Sequence, residues 1–413
     1  MIAAVVDGVL MLAAVASVVP ALTLLAEVGM SVRRARRNWQ TGGGPGSGPE
    51  DGQEAGPESV PRPSIAVIVP AHDESRSIAA TLDALLPDLT ARDRVVVVAD
   101  NCSDDTAAIA ARLGAEAISR VDAERRGKGF ALEYGVAHLA GGAAPPDAVV
   151  FVDADCRVAP GAIARLAALA CASGRPVQAQ YLLRAPAGAG LGMRISEFAV
   201  RLKNDIRPRG GRHLGAPCQL AGSGMALPWP LVASVTLGTA NLVEDLALGI
   251  DLTLAGRPPV YCGEALVTSE LPTAASSHRV QRQRWEQGHL RMIGQMAPRL
   301  LLAAVRRRSW ACLAAALDLL VLPLTLLVFC QALLVAVCAV AYRMGASGVP
   351  LLIQSAAAGM VASAVALAWL TGGRDLIGWR DWLHVGFYMV RKVPMYVGMA
   401  LGRRTGWVRT DRE

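Results

Sequence analysis

Three long apolar stretches constrain the fold of this 413-residue chain more than any other feature of its sequence. Residues 8–26, 319–342 and 349–370 contain no charged side chain. Each is long enough to cross about 30 Å of hydrocarbon as a helix. The composition agrees, because 53% hydrophobic and only 18% charged residues are unusual in a purely soluble protein. We therefore predict three membrane-spanning helices.

A cleaved signal peptide is the alternative interpretation of the first stretch. Residues 1–7 carry no positive side chain, and the apolar run that follows is longer than the usual core of a signal peptide. Both features favour a permanent membrane anchor.

Arginine clusters beside the apolar stretches predict the orientation of the chain. They are Arg33, Arg34, Arg36 and Arg37 after the first stretch, Arg306, Arg307 and Arg308 before the second, and Arg374, Arg380, Arg403 and Arg404 after the third. The positive-inside rule then places the long segment between the first two stretches in the cytoplasm. We expect a multi-pass protein of the inner (plasma) membrane. The net charge of +7 is concentrated in these clusters, which favours contact with membrane lipids over nucleic acid.

Composition divides the chain into four predicted segments. Residues 1–40 hold the first membrane helix and its basic flank, and residues 41–63 form a flexible linker rich in Gly, Pro, Ser and Glu. Residues 64–300 form a cytoplasmic catalytic domain, and residues 301–413 hold two more membrane helices and a helix lying in the membrane interface. The eight cysteines form no C-x-x-C pair, so neither a zinc site nor a disulfide framework follows.

Two further amphipathic segments are expected to form helices. Residues 382–402 are apolar but contain Arg391, Lys392 and Pro394, which favours an interfacial helix whose cations reach the lipid head groups over a fourth span. Aromatic side chains at Trp382, Tyr388, Tyr396 and Trp407 would mark the boundary. Residues 189–206 form a second surface-lying helix or pack on the sheet.

The catalytic segment alternates short β-branched runs with helical patterns. Strands are predicted at 65–69, 95–99 and 149–152, with helices at 78–86 and 106–113 between them. This alternation indicates an α/β fold with right-handed crossovers and a parallel sheet.

Acidic residues follow each of these strands, at 70–74, 100–104 and 153–155. Ligands of such sheets bind beyond the carboxyl ends of the strands, so these acids should gather on one edge. A glycine-rich phosphate loop is missing from this sequence, and the phosphates of a ligand must be bound in another way.

Asp153 and Asp155 form a candidate metal site. Two carboxylates one residue apart at a strand end can hold a divalent cation that bridges the phosphates of a nucleotide diphosphate. Oxygen ligands favour Mg²⁺ or Mn²⁺. The alternative is a solvated turn after the strand.

Glu244 and Asp245 begin an apolar helical pattern that runs from 246 to 254. They could cap that helix, because ionised acids are favoured at a helix N terminus. Alternatively, one of them takes the proton from an acceptor hydroxyl as it attacks an anomeric carbon. A single base without a second carboxylate nucleophile implies one displacement with inversion.

Gln281, Arg284 and Trp285 share one face of a helix by their spacing. Arg284 can bind a diphosphate and Trp285 can stack on a sugar ring, whereas an interfacial anchor would explain Trp285 alone. Lys128 is either a phosphate contact or a solvated helix start.

These blocks together resemble the membrane-integrated family 2 glycosyltransferases, which include cellulose, chitin and hyaluronan synthases and, nearby, ceramide glucosyltransferase. The resemblance covers residues 64–287 and implies a nucleotide-diphospho-sugar transferase fold of the GT-A type. It implies that the block from Pro70 to Glu74 contacts the nucleotide through Glu74, and that Asp100 binds the base. Asp153 and Asp155 match the metal-binding pair.

The same resemblance assigns the remaining site residues. Asp245 matches the catalytic base, and Gln281, Arg284 and Trp285 match the motif that binds acceptor and diphosphate. This chain has Val243 where the family usually has Thr, and the loop 222–224 differs from the commoner forms.

The expected function is inverting transfer from a UDP-sugar to a growing envelope glycan or exopolysaccharide, with export partners completing the path. One alternative is transfer of a single sugar to a membrane lipid. A second is an inactive nucleotide-sugar-binding scaffold, which retention of Asp245 and of Gln281, Arg284 and Trp285 disfavours. A sugar-phosphate nucleotidyltransferase is disfavoured by the missing glycine-rich loop.

Overall fold

The computed structural model describes residues 2–40, 62–238, 243–272, 275–389 and 392. Most of the predicted linker at 41–63 lies outside these residues. The chain forms two compact units. The sheet unit is Asn38–Arg184 with Pro217–Glu270, and the helical unit is Met1–Arg37, Ala185–Ala216 and Leu271–Glu413.

The predicted catalytic segment, residues 64–300, contributes to both units. Its residues 185–216 and 271–300 belong to the helical unit, and the remainder forms the sheet unit. The two units are therefore not consecutive in the chain.

The described residues of the sheet unit form eight strands, which include the three predicted from sequence. They are β1 Ile65–Ala71, β2 Arg94–Asp100, β3 Glu116–Arg120, β4 Ala148–Phe151, β5 Cys156–Val158, β6 Val177–Arg184, β7 Met225–Pro228 and β8 Val260–Glu270. They form one sheet in the order β3-β2-β1-β4-β7-β6-β8-β5.

The sheet is parallel only in part. Strands β3, β2, β1 and β4 run parallel, as predicted. Beyond β4 the sheet is mixed rather than purely parallel, because β7 pairs antiparallel with both β4 and β6 and β5 pairs antiparallel with β8, whereas β6 pairs parallel with β8. The short strands β5 and β7 gave no periodic signal of their own. The α/β class is confirmed.

The helices are numbered in chain order across both units. They are α1 Ile2–Gln40, α2 Ile78–Leu85, α3 Thr106–Arg112, α4 Lys128–Ala140, α5 Ala162–Ser173, α6 Leu191–Arg201, α7 Arg207–His213, α8 Trp229–Val232, α9 Glu244–Leu254, α10 Ala275–Arg307, α11 Trp310–Leu320, α12 Leu324–Arg343 and α13 Val349–Gly372. Short 3₁₀ turns occupy Leu86–Asp88 and Trp379–Asp381, and a π-helical turn occupies Leu202–Ile206.

The core of the sheet unit covers both faces of the parallel strands. Val67 and Val69 of β1 face one layer, and Ala66 and Ile68 face the other, as the alternation of a strand requires. Helix α4 packs closely on the second face, since a Cβ added at Gly135 would lie 2.9 Å from Ile68 Cγ2. Both faces are covered, which explains the unbroken apolar runs of β1 and β2.

In the helical unit, three helices of the described chain are long and apolar enough to cross a membrane. They are Val5–Val32, Leu324–Arg343 and Val349–Gly372. The first and third agree with the prediction. The second span, predicted over 319–342, is also present, but it begins later than predicted, because α11 ends at Leu320 and α12 begins only after Pro323. A proline disfavours helical backbone at the residue before it.

Helix α6 packs among these apolar helices. Ile195 and Phe198 of α6 join Leu24 of α1 and Val361 and Ala364 of α13 in one buried cluster. The segment 189–206 therefore contributes to the apolar core of the helical unit.

A buried ionic network lies in the same unit. Arg207 donates a hydrogen bond to Glu27 at 2.6 Å and another to the carboxylate of Asp318 at 2.5 Å. Helix α7 lies directly against α1 at this point, because the backbone at Glu27 leaves no room for a Cβ at Gly210. The network therefore joins α1, α7 and α11.

The described part of the predicted interfacial helix is residues 382–389 and 392, whose backbone is helical. Lys392 is buried and donates a hydrogen bond to Thr325 at 2.7 Å, so the prediction that its charge reaches head groups is wrong. Arg391, Pro394, Tyr396 and Trp407 lie outside the described residues.

Candidate active site

The candidate site of the sheet unit begins where β4 ends. Asp153 follows β4 by two residues, and its backbone N–H donates a hydrogen bond to Ser223 Oγ at 3.0 Å. Asp155 accepts a hydrogen bond from Ser269 of β8 at 2.7 Å. Cys156 begins β5 directly after them. The loop before β7 therefore contacts the backbone of Asp153, and β8 contacts the carboxylate of Asp155.

Lys128 is the first residue of α4, and its ammonium group points into this acidic site. It forms an ion pair with Asp153 and donates a hydrogen bond to the carbonyl of Gly222 at 2.9 Å. One quarter of its side chain is exposed, at 25%. Lys128 therefore begins a helix, as predicted, with its ammonium group ion-paired, and its role as a phosphate contact stays a prediction.

Gly222 shows that Lys128 and Asp245 come together. A Cβ added at Gly222 would lie 3.3 Å from Lys128 Nζ and 3.1 Å from Asp245 Oδ2. The backbone there has a φ of +87°, which glycine adopts readily. The loop 222–224 thus allows both groups to approach its backbone.

Helix α9 carries the second pair of carboxylates. It begins at Glu244, as predicted, and Asp245 accepts a hydrogen bond from the backbone N–H of Leu246 at 2.8 Å. One oxygen of Asp245 therefore contacts a backbone N–H in the first turn of α9, while the other lies beside Gly222. The N-cap position itself is Val243, and the role of Asp245 as a base stays a prediction.

Burial and neighbouring charges shift the pKa values of Lys128 and Glu244. Burial lowers the pKa of Lys128, but the carboxylates of Asp153, Glu244 and Asp245 outweigh it and hold that pKa above its usual value. Burial, followed by the charge of Asp245, raises the pKa of Glu244. The ammonium group of Lys128 thus offsets the negative charge of these three carboxylates.

The Asp153 and Asp155 carboxylates and the Cys156 thiol place ligand atoms within 4.8 Å of one another. Burial, followed by the charge of Asp153, raises the pKa of Cys156 to about 12, so the thiol stays protonated. The two carboxylates supply the oxygen ligands that Mg²⁺ and Mn²⁺ prefer. The two carboxylates, close together at the end of β4, therefore fit a divalent cation.

A small cavity of about 60 Å³ lies next to this site. Lys128, Gly222, Glu244 and Asp245 line its polar part, and Leu248 belongs to its apolar part. The carboxylates therefore face open space on one side.

The ends of β1 and β2 form the predicted nucleotide side of the site. Pro70 lies inside β1, one residue before its end. His72 and the backbone carbonyl of Asp100 are hydrogen-bonded at 2.7 Å, which joins the two strand ends. Asp100 is buried and ion-paired with Arg120 at 2.6 Å, and Glu74 accepts a hydrogen bond from Ser77 at 2.5 Å.

The acids predicted to gather at this edge include a second group of polar side chains, after β1 and β2. Ligand atoms of Asp73, Cys102 and Asp104 lie within 4.8 Å of one another. Burial opposes ionisation of Asp104, but hydrogen bonds from Thr106 and Ser75 outweigh it and lower its pKa to about 2. These acids fix the loops that follow β1 and β2.

Arg120, Ser223 and Ser269 were not identified from the sequence. Each supports a predicted site residue, through the contacts with Asp100, Asp153 and Asp155. A single serine or arginine in the sequence does not indicate which acid it will contact in the fold.

Gln281, Arg284 and Trp285 lie on α10 in the helical unit. Gln281 is buried, and Arg284 and Trp285 are half-buried. Their neighbour Arg282 donates hydrogen bonds to Ser196 at 3.0 Å and to Tyr388 at 2.6 Å. The roles of Gln281, Arg284 and Trp285 in binding stay predictions.

The mixed α/β sheet, with acids gathered at the ends of its parallel strands, defines a GT-A-like fold of the nucleotide-sugar transferase type. The sequence model described as "Glycosyltransferase like family 2" matches residues 61–288, which is more than half of the chain. The protein belongs to this family. A search of curated proteins gave no match.

A solved structure agrees with the fold. The mannosyltransferase PcManGT from Pyrobaculum calidifontis, in complex with GDP-Man and Mn²⁺, matches with a TM-score of 0.51 and 17% identity, covering 86% of this chain and 98% of that one. Glucosyl-3-phosphoglycerate synthase from Mycobacterium tuberculosis, in complex with Mn²⁺, UDP and phosphoglyceric acid, matches with a TM-score of 0.36 and 22% identity, covering 55% of this chain and 78% of that one.

Proposed function

We propose that this protein is a membrane-bound, metal-dependent, inverting glycosyltransferase that uses a nucleotide-diphospho-sugar, preferentially a UDP-sugar. The observation that carries the proposal is the approach of Lys128 to Asp153 and of both Lys128 and Asp245 to Gly222. These contacts support the proposal that a metal-binding carboxylate and a base lie at one edge of the sheet.

Asp245 is proposed as the base. Its Oδ2 lies beside Gly222, and the cavity is lined by its side chain and that of Glu244. As the acceptor oxygen bonds to the anomeric carbon, the bond from that carbon to the diphosphate oxygen breaks, and the hydroxyl proton passes to Asp245. The products are the new glycoside and a nucleoside diphosphate. A single displacement inverts the anomeric centre.

Asp153 and Asp155 would hold the Mg²⁺ or Mn²⁺ ion. Such an ion supplies positive charge to the departing diphosphate. Ser269 and the backbone contact with Ser223 hold the two acids in place. Lys128 provides a second positive charge at the same edge.

On the donor side, Glu74 and Asp100 are proposed to contact the nucleotide, with Pro70 at the end of β1. The hydrogen bond between His72 and Asp100 keeps the two strand ends together. Arg284 and Trp285 are proposed to bind the diphosphate and the acceptor, with Gln281 on the same helix face.

The proposed location is the inner membrane, with the sheet unit in the cytoplasm. Three helices of span length and the arginines flanking them support this orientation. The acceptor is proposed to be a growing envelope glycan or exopolysaccharide. A lipid acceptor is the second candidate, and it is favoured by the small number of span-length helices among the described residues.

Turnover of labelled donors tests the proposal. Purified protein in detergent is incubated with Mn²⁺, membrane lipid extract and labelled UDP-sugars or GDP-sugars, and the products are separated by length and lipid solubility. Asp245→Asn should lower turnover by about 10²- to 10⁴-fold, the usual contribution of a general base. Donor binding should be retained.

Asp83→Asn is the matched control, since Asp83 is an exposed carboxylate on α2. Unchanged turnover in Asp245→Asn would refute the assignment of the base. Products of many lengths support polymerisation, whereas one lipid-soluble product supports the lipid acceptor.

A further inference from the structure

Lys128 lies at a helix position where the helix dipole by itself disfavours a lysine. It is the first residue of α4, where the helix dipole disfavours a positive charge. Its ammonium group is nevertheless fixed by Asp153 and by the carbonyl of Gly222. The acids of the site therefore hold this lysine in place.

The same ammonium group competes with a metal for one carboxylate. Lys128 pairs with an oxygen of Asp153, and Asp153 is one of the two acids that fit a divalent cation. A metal ion that uses this oxygen must displace the ammonium group or share the carboxylate with it. Metal binding and the Lys128 contact thus oppose each other.

We propose that Lys128 occupies the metal-binding carboxylate until the donor arrives, and so makes divalent-cation binding depend on the nucleotide diphosphate. This inference rests on the proposed function. The diphosphate offers the displaced ammonium group further oxygen acceptors near the site, beyond the carbonyl of Gly222. Metal and nucleotide then bind cooperatively, and the coupling is reciprocal.

The measurement is Mn²⁺ binding to the purified full chain, followed by the electron paramagnetic resonance of free Mn²⁺ without nucleotide and with UDP or GDP. In the wild type, the nucleotide should increase Mn²⁺ affinity. Lys128→Met keeps the apolar part of the side chain and removes the charge. It should bind Mn²⁺ about tenfold more tightly without nucleotide, the size expected for losing one competing charge-assisted contact.

The quantity that tests the inference is the coupling factor, which is the ratio of the Mn²⁺ affinities with and without nucleotide. In Lys128→Met, the ratio of Mn²⁺ affinities with and without nucleotide should fall by about tenfold, because the competitor is gone before the nucleotide arrives. Lys128→Arg keeps a positive charge and should retain most of the coupling. Unfolding temperatures of both variants establish that they fold.

Arg126→Met is the matched control, since Arg126 is an exposed cation two residues away. An equal gain in Mn²⁺ affinity in both variants would mean that only net charge matters, and would overturn the inference. So would a folded Lys128→Met variant with wild-type Mn²⁺ affinity.

These outcomes separate the inference from the proposed function. If the wild type binds no Mn²⁺ with either nucleotide and turns over no donor, the proposed function fails and the inference fails with it. If turnover and Mn²⁺ binding are normal but Lys128→Met leaves the coupling unchanged, only the inference fails.

Discussion

Ser269 of β8 donates a hydrogen bond at 2.7 Å to Asp155, which lies 114 residues earlier in the chain. The contact is possible because β8 pairs with β5, where Ser269 is the partner of Cys156. A strand from the distal part of the sheet therefore orients a carboxylate that follows β4. Support of this kind is expected around metal ligands.

Ser269→Ala should weaken Mn²⁺ binding by about 10-fold, as loss of a group that orients a metal ligand usually does. The protein should remain folded, because only one hydroxyl is removed. Isothermal titration with MnCl₂ in the presence of UDP measures the effect. Thr268→Ala, at the neighbouring position of β8, should leave the affinity unchanged, and equal losses in both variants would refute the specific role of Ser269.

Gly224→Ala should destabilise the sheet unit more strongly than a typical glycine substitution. An added Cβ would lie 2.7 Å from Ala179 Cβ, and the backbone φ of +68° is strained for alanine. Strain of about 1–2 kcal/mol adds to an overpacking cost of about 1–3 kcal/mol. Thermal unfolding measures the change.

Gly256→Ala is its control. Gly256 also has a positive φ, at +80°, but no atom within 4 Å of the added Cβ. Only the strain of about 1–2 kcal/mol should remain. Equal unfolding temperatures of the two variants would contradict the packing argument.

Arg207→Leu should lower the stability of the helical unit by about 3–5 kcal/mol, because it leaves the buried carboxylates of Glu27 and Asp318 without their cation. Scanning fluorimetry in detergent measures the unfolding temperature. Adding Glu27→Gln and Asp318→Asn to Arg207→Leu should restore part of the loss. Arg212→Leu, at an exposed position of the same helix, should have little effect, and a comparable loss there would argue against the network.

His289 should make the stability depend on pH. It is buried, and it is hydrogen-bonded to the carbonyl of Leu319 at 3.0 Å. Burial, then the charges of Lys203 and Arg207, lower its pKa from 6.5 to about 4. Between these values the unfolded chain binds more protons than the folded chain, so stability falls as the pH falls from 6.5 to 4.

The loss assigned to His289 should reach up to about 3 kcal/mol across that window. Denaturation curves of the wild type and of His289→Gln, recorded from pH 7 to pH 4, measure it. The variant should lose the part of the pH dependence that His289 contributes. Identical pH profiles for the two proteins would show that His289 does not titrate in this way.

The sequence by itself determined the local elements that carry the site. Unbroken apolar runs predicted β1, β2 and β4, because strands covered on both faces need apolar side chains throughout. The acids after those strands then had to meet at one edge, since parallel strands end on the same side. The start of α9 at Glu244 followed from its apolar periodicity.

Only the tertiary structure decided which groups face one another. No short window of sequence contains the contacts that pair Lys128 with Asp153 or that join Ser269 to Asp155. The same holds for the backbone conformation that separates α11 from α12. Antiparallel β7, four residues long, is a strand because β4 and β6 pair with it. Periodicity reports how a segment is buried, whereas the direction of a side chain depends on distant segments that pack against it.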